Sequence, residues 1–306
     1  MIVIYNSRAM DVRDLEVFLS VAKNLNFTRA GDEVHLSQPS ISVRVRKLES
    51  ELGIKLFEHV GKRVALTEAG RTLVPYARRV VAALDDARLA VEELQGLKRG
   101  TLRIGASTTP GMYLVPKLIA RFKRQYPKIE IHLEIKDTRQ IEEEVVRNAF
   151  DFGFVGGHLI GEEVEVLPWL IDEIVLVVPP SHPLTKKKLV RLRDLRGEQI
   201  ISRERGSATQ AAVDNKLRDS EIRLEAVMEM NNPEAVKKAA QSGLGIAFLS
   251  RFAVEAELKA KTLAAVRVKD LVLSRELKIV RRKDKHLSRA AQAFIKMRGI
   301  TRAGYD

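Results

Sequence analysis

The sequence predicts an α/β protein in three parts: a small helical module closed by a two-stranded ribbon, one long helix, and two lobes of alternating strands and helices. Three observations carry this. Two short amphipathic helices joined by a tight turn occupy Phe27 to Arg46. Apolar residues recur every seven positions between Leu73 and Leu94. After Thr101, period-two alternation and helical spacing take turns, which implies βαβ units around a mostly parallel sheet. The expected divisions are residues 10–67, 68–96 and 101–306, with one lobe near 101–171 and 274–306 and the other near 172–273.

Val12, Leu15, Phe18, Leu19 and Ala22 form the stripe of a first amphipathic helix. Phe27 and Thr28 begin a second, with Thr28 suited to cap it and Arg29 placed for a backbone phosphate. A third begins at Ser37, whose hydroxyl suits an N-cap. Pro39 is tolerated in its first turn, where backbone N–H groups lack helical partners. Ile41, Val45, Leu48 and Leu52 then make one apolar stripe. At about 100° per residue, the opposite face carries Pro39, Ser40, Val43, Arg46, Lys47 and Ser50, flanked by Ser42 and Arg44, with Gln38 at its start. Small hydroxyls allow close approach, cations meet phosphates, and an amide can read adenine; a helix entering a major groove needs this mixture. An ordinary solvated helix would look similar in isolation. Its surroundings favour the groove, because Phe57 to Thr67 reads as a two-stranded ribbon with Gly61, Lys62 and Arg63 at its tip. Together these elements make a winged helix-turn-helix. Its expected contacts to double-stranded DNA are Thr28, Arg29, Ser37, Gln38, Pro39, Ser40, Ser42, Val43, Arg44, Arg46 and Lys47 from the helices, and Lys62 and Arg63 from the ribbon.

Phe27-Thr28-Arg29-Ala30, Leu36-Ser37-Gln38-Pro39-Ser40-Ile41-Ser42, Leu48-Glu49, Leu52-Gly53, Leu56-Phe57 and Leu66-Thr67-Glu68-Ala69-Gly70 resemble, in order and spacing, the N-terminal signature of LysR-type transcriptional regulators. The resemblance covers nearly the whole chain after Met10. One departure is Val43, where many members carry a cation or amide. Val43 is expected to pack on a thymine methyl in the major groove.

Thr67 is expected to cap a helix reaching Leu94 or Gln95. Leu73, Val80, Ala87 and Leu94 share one heptad position and Ala77, Leu84 and Val91 the other, the seam of a coiled coil and the expected dimerisation surface. The alternative is a helix packed on its own domain. Pro75 bends the start without ending the pattern, and Gly96 to Gly100 forms a hinge. The resemblance implies a linker helix here, a homotetramer made of two dimers, and contact with RNA polymerase.

In the first lobe, Leu102 to Ala106 reads as a strand, Pro110 to Gln125 as a helix, Ile129 to Ile135 as a half-buried strand, and Phe150 to Val155 as a strand after another helix. The second series runs through strands Ile174 to Val178, Gln199 to Ser202, Arg223 to Met230 and Ile246 to Leu249, with helices from Ser207 and Asn232. Strand Leu277 to Val280 and helix Ser288 to Met297 return to the first lobe. Two lobes with double crossovers resemble the family's effector domain, which is similar to periplasmic binding proteins. Ser107-Thr108-Thr109 and Ser202 to Thr209 stand at corresponding strand-to-helix junctions, where hydroxyls and free N–H groups suit an anion. The expected effector is therefore a small anionic metabolite held by Ser107, Thr108, Thr109, Ser202, Arg203 and Ser207. Each could instead be a helix cap alone. Family members often carry arginine where Gln210 stands, which puts a carboxylate clamp there in doubt.

The chain has no cysteine, which excludes disulfides, thiol nucleophiles and cysteine-ligated zinc. No second ligand at metal spacing accompanies His158, which reads as a loop histidine, so no metal, cofactor or catalytic residue is expected. The net charge of +13 suits a polyanion, yet only +2 lies in residues through Leu66 and +10 follows Arg99. The motif therefore argues for DNA more strongly than the charge does. No apolar run is long enough to span a membrane, and the first five residues lack a signal-peptide core, so the cytoplasm is expected. A cytoplasmic solute-binding protein using only the two lobes is the alternative function.

Overall fold

The computed structural model describes residues 10–61, 63–92, 100–157, 159, 161–218 and 224–299. The chain forms two compact units, Met1–Leu94 and Gln95–Asp306.

In the first unit, α1 (Val12–Asn24), α2 (Phe27–Val34) and α3 (Gln38–Leu52) pack around Val17, Val21, Ala30, Ile41 and Val45. Each fully buried valine or isoleucine here contributes about 1.5–3 kcal/mol. Asn26, not Thr28, caps α2: its carboxamide oxygen accepts from the N–H groups of Thr28 and Arg29. An asparagine amide reaches both first-turn donors, a role that its neighbour inside the helix cannot fill. The turn into α3 runs through His35 in the left-handed region at φ 56°. Gly31 sits against the Leu36 carbonyl so closely that a Cβ would overlap its oxygen. Ser37 caps α3 by accepting from Ser40 N. Leu52 is 39% exposed rather than core, because α3 ends there and Gly53 turns away at φ 70°.

Strands β1 (Phe57–Val60) and β2 (Arg63–Leu66) pair antiparallel across Gly61. Thr67 accepts from Gly70 N and opens α4 (Glu68–Glu92), which continues through Pro75. The start of α4 closes a second core layer of Leu15, Phe18, Leu48, Leu56 and Ala77. Two buried carboxylates lock this unit. Asp14 on α1 accepts from Arg44 Nη1 at 2.7 Å and Lys47 Nζ at 2.8 Å on α3. Glu49 accepts from Lys55 Nζ and from the N–H groups of Leu56 and Phe57, tying α3 to the ribbon.

The second unit is built on one mixed sheet. Its strands are β3 (Gly100–Ser107), β4 (Ile129–Lys136), β5 (Phe152–Gly156), β6 (Val164–Val178), β7 (Ile200–Arg203), β8 (Ala226–Met230), β9 (Ile246–Ser250), β10 (Ala264–Val266) and β11 (Leu273–Arg282). They lie in the order β4-β3-β5-β11-β6-β9-β7-β8, with β10 beside β6. β3 pairs parallel with β4 and β5, and β7 pairs parallel with β8 and β9. β6 and β11 are antiparallel to each other and to their other neighbours, and they run from one lobe into the other.

Helices α5 (Val115–Gln125) and α10 (Arg289–Lys296) cover one face of the first lobe, and α6 (Thr138–Val146) covers the other. In the second lobe, α7 (Ala208–Leu217) packs on one face, while α8 (Pro233–Gln241) and α9 (Arg251–Lys259) pack on the other. The helix expected from Pro110 begins as a π turn, Pro110–Leu114, before α5. Pro116 has no N–H to give the Met112 carbonyl, so the regular ladder cannot run through it. β6 is longer than the expected Ile174 to Val178 because its first half pairs with β11, with the register shifting beside Trp169. No helix of the described residues is long and apolar enough to cross a membrane.

Candidate functional site

The first turn of α3 is exposed on the first unit. Ser37, Gln38, Pro39, Arg46 and Ser50 are exposed, Ser40 and Ser42 are partly so, and Val43 is 58% exposed with no core role. The Ser37 and Ser40 hydroxyls lie 2.9 Å apart, and Gln38 Nε2 donates to Ser42 Oγ at 3.0 Å. Arg46 Nε donates back to the Ser42 carbonyl at 3.2 Å. These groups are polar, mutually ordered, and free to exchange partners with an incoming surface. Thr28 and Arg29 are exposed in the first turn of α2, and Arg63 is exposed on the ribbon. Lys62 lies outside the described residues. Arg44 and Lys47 already serve Asp14, whose carboxylate raises the affinity of Lys47 for its proton.

The seam of α4 divides in two. Leu73 and Ala77 pack into the unit's own core, so the alternative of a helix lying on its own domain holds for the first turns. Farther on, Val80 is 45% and Val91 65% exposed, Ala87 is exposed and Leu84 half-buried. Leu94 lies outside the described residues.

In the second unit, a cleft between the lobes is lined by Ser107, Thr108, Thr109, Arg203 and Ser207, together with Asp137, Thr138, Glu204 and Arg275. About 310 Å³ of space, open to solvent, lies among these residues. Ser107 Oγ accepts from Gly156 N, and Thr138 Oγ1 donates to the Gly156 carbonyl. Ser207 caps α7. Ser202 is not in the cleft: strand alternation turns its hydroxyl away, and it donates to the Met228 carbonyl on β8. The next residue, Arg203, faces the cleft instead, and Gln210 supports its backbone by accepting from Arg203 N. His158 lies outside the described residues.

Arg275 is the cation that sequence reading missed. It lies on β11 directly opposite Asp172 on β6, where both long strands cross between lobes. Asp172 is fully buried and accepts from Arg275 Nε at 2.9 Å and Ser250 Oγ at 2.6 Å. Burial pushes the Asp172 carboxyl above its ordinary range, against the pull of Arg275 and Ser250. In sequence, Arg275 stands in an unremarkable charged run; only the pairing of distant strands reveals it. A further tie crosses the lobes: Tyr113, on the π turn, donates to Glu234 of α8 at 2.5 Å, and Lys237 bridges Glu234 and Glu257. Burial and the neighbouring Glu234 push the Tyr113 phenol well above its ordinary value.

Two family models match. Residues 12–71 match the bacterial regulatory helix-turn-helix protein of the lysR family, and residues 95–298 match the LysR substrate binding domain. The chain is 36% identical over 286 residues to a probable RuBisCO transcriptional regulator of Trichormus variabilis, covering 92% of this chain and 85% of that one. Among solved structures it is similar to a full-length OxyR variant from Pseudomonas aeruginosa, with TM-score 0.73, 23% identity, and 95% and 93% of the two chains covered. It is also similar to the Synechocystis CcmR regulatory domain in complex with 2-PG, with TM-score 0.62, 27% identity, and 67% and 98% covered.

Proposed function

The chain belongs to the LysR family of bacterial transcriptional regulators, and we propose that it reads DNA with the first turn of α3 while its cleft senses a small anion. The members of this family are regulators rather than enzymes. The observation that carries the DNA reading is the two-sidedness of α3. Ile41, Val45 and Leu48 are buried, while Ser37, Gln38, Pro39, Val43 and Arg46 stand exposed on the other side. An N-terminal helical turn rich in small hydroxyls meets base edges, and Arg29, Lys62 and Arg63 take phosphates. Arg44 and Lys47 orient α3 through Asp14, and the outer half of Lys47 remains available to a phosphate.

Dimers form through Val80, Leu84, Ala87, Val91 and Leu94, placing two winged modules on an inverted repeat. Two dimers assemble as a tetramer in the cytoplasm, and the anion acts by binding one arrangement of the lobes better than another. That bias changes the contacts made with RNA polymerase. The likeness to a regulatory domain whose structure holds 2-PG supports the anionic class, as do Arg203 and Arg275 in the cleft.

Footprinting of the full chain on DNA upstream of its own gene tests this. Protection of two half-sites with dyad symmetry, separated by whole helical turns, is the expected result. Protection without symmetry, or none, contradicts it.

A further inference from the structure

Arg203 is buried, and its guanidinium fork is already taken. Nε donates to Glu204 Oε2 and Nη2 to Glu204 Oε1, both at 2.8 Å. A bidentate pair of this kind is among the strongest that arginine makes with a carboxylate. Glu204 is the next residue in the chain, lines the cleft, and keeps 29% of its side chain exposed. Its backbone is fixed, with N donating to the Met230 carbonyl and O accepting from Ser207 N, so the side chain alone can swing. Arg275 differs. Asp172 lies 2.8 Å from its Nη2, yet that buried nitrogen makes no hydrogen bond among the described residues. The cleft therefore holds one cation covered by a removable anion and a second cation with a donor to spare.

We propose that Glu204 is a resident substitute for the ligand's anionic group, and that a phosphoryl-bearing effector binds by displacing it from Arg203. This rests on the reading of the cleft as an anion site. With Glu204 in place, Arg203 is matched by Glu204 and Arg275 by Asp172, and Asp137 also lines the cleft, which therefore has no surplus positive charge. A monocarboxylate would exchange one bidentate carboxylate for another, while competing with a tethered group at an effective concentration of millimolar or more. A tetrahedral dianion gains more. It brings a second charge and a third acceptor oxygen, which the Arg275 Nη2 donor, the Ser107 and Thr108 hydroxyls and the free first-turn N–H groups of α7 can use. Glu204 thus selects phosphate esters over monocarboxylates, and its carboxylate moves to solvent as the ligand enters.

Titration calorimetry on the full-length wild type, Glu204→Gln and Glu204→Ala tests this with inorganic phosphate, sulfate and acetate. Both variants are expected to bind phosphate at least about tenfold tighter than wild type, a gain of about 1.4 kcal/mol. Acetate is expected to show no measurable binding to wild type and measurable binding to both variants. Phosphate binding in both variants equal to or weaker than wild type would overturn displacement while leaving the cleft an anion site. No binding of phosphate or sulfate by any of the three proteins would remove the anion reading itself, and the proposal with it.

Discussion

Gly31 decides whether the helix-turn-helix can close. Its missing side chain lets α2 approach the Leu36 carbonyl, and that approach aims the first turn of α3 outward. Gly31→Ala is expected to lower the stability of the N-terminal unit by about 1–3 kcal/mol through overpacking, read as a lower midpoint in thermal melts. An unchanged midpoint would show that the turn can relax.

Glu49 sets the acid limit of the same unit. Burial opposes its charge, but Lys55 and the N–H groups of Leu56 and Phe57 prevail and hold its carboxyl below the ordinary glutamate range. A depressed carboxylate adds stability above its unfolded pKa, and that stability is lost as pH falls through the folded value. Glu49→Gln should therefore destabilise the unit at pH 7 and flatten its stability profile below about pH 4.5. A variant as acid-sensitive as wild type would contradict this.

Residue identity was legible along most of α3, where Ser37, Val43 and the Ile41, Val45 and Leu48 stripe stand as the spacing predicts; it failed at Thr28, where Asn26 takes the cap, and at Leu52, where the helix ends. It was illegible where two faces of one strand compete. Ser202 and Arg203 both look like anion ligands, and only the direction of the strand separates them.

At the scale of elements, α4 does two jobs in sequence. Its first turns complete the winged module through Leu73 and Ala77, and its later turns leave Val80 and Val91 uncovered. Val80→Glu with Val91→Glu should dissociate the proposed dimer in sedimentation velocity at micromolar protein while leaving the module folded. Ala77→Glu should unfold the module as well. A dimer that survives the double change would place the interface elsewhere. The heptad pattern in the sequence could not divide the seam, because a helix facing its own domain and a helix facing a partner use the same period.

The crossing strands β6 and β11 hold a buried ion pair, and removing one member strands the other. Asp172→Asn is expected to cost about 3–5 kcal/mol, followed in urea by the fluorescence of Trp169, the only tryptophan of the chain. Trp169 packs on Phe154 in the first lobe. A cost below about 1 kcal/mol would mean that solvent reaches Arg275. The sequence hid the length of β6, because Pro168 and alternating charges interrupt its apolar run.

For the whole molecule, an N-terminal unit that orients one exposed helical turn is joined in sequence to a two-lobed unit whose cleft is lined by Arg203, Glu204 and Arg275. Tyr113 and Glu234 tie the lobes on one side, and Arg275 and Asp172 meet where the strands cross. A ligand in the cleft shifts the balance between arrangements of the lobes only through its preference for one of them.

Sequence-selective binding of DNA comes first in any regulation by this chain, and fluorescence anisotropy of the purified full chain measures it most directly. Its own upstream duplex and a scrambled duplex of equal length are compared across a salt series. The upstream duplex should bind on the order of a thousandfold more tightly, with both affinities falling steeply as salt rises. Equal affinity for the two duplexes at every ionic strength would contradict it.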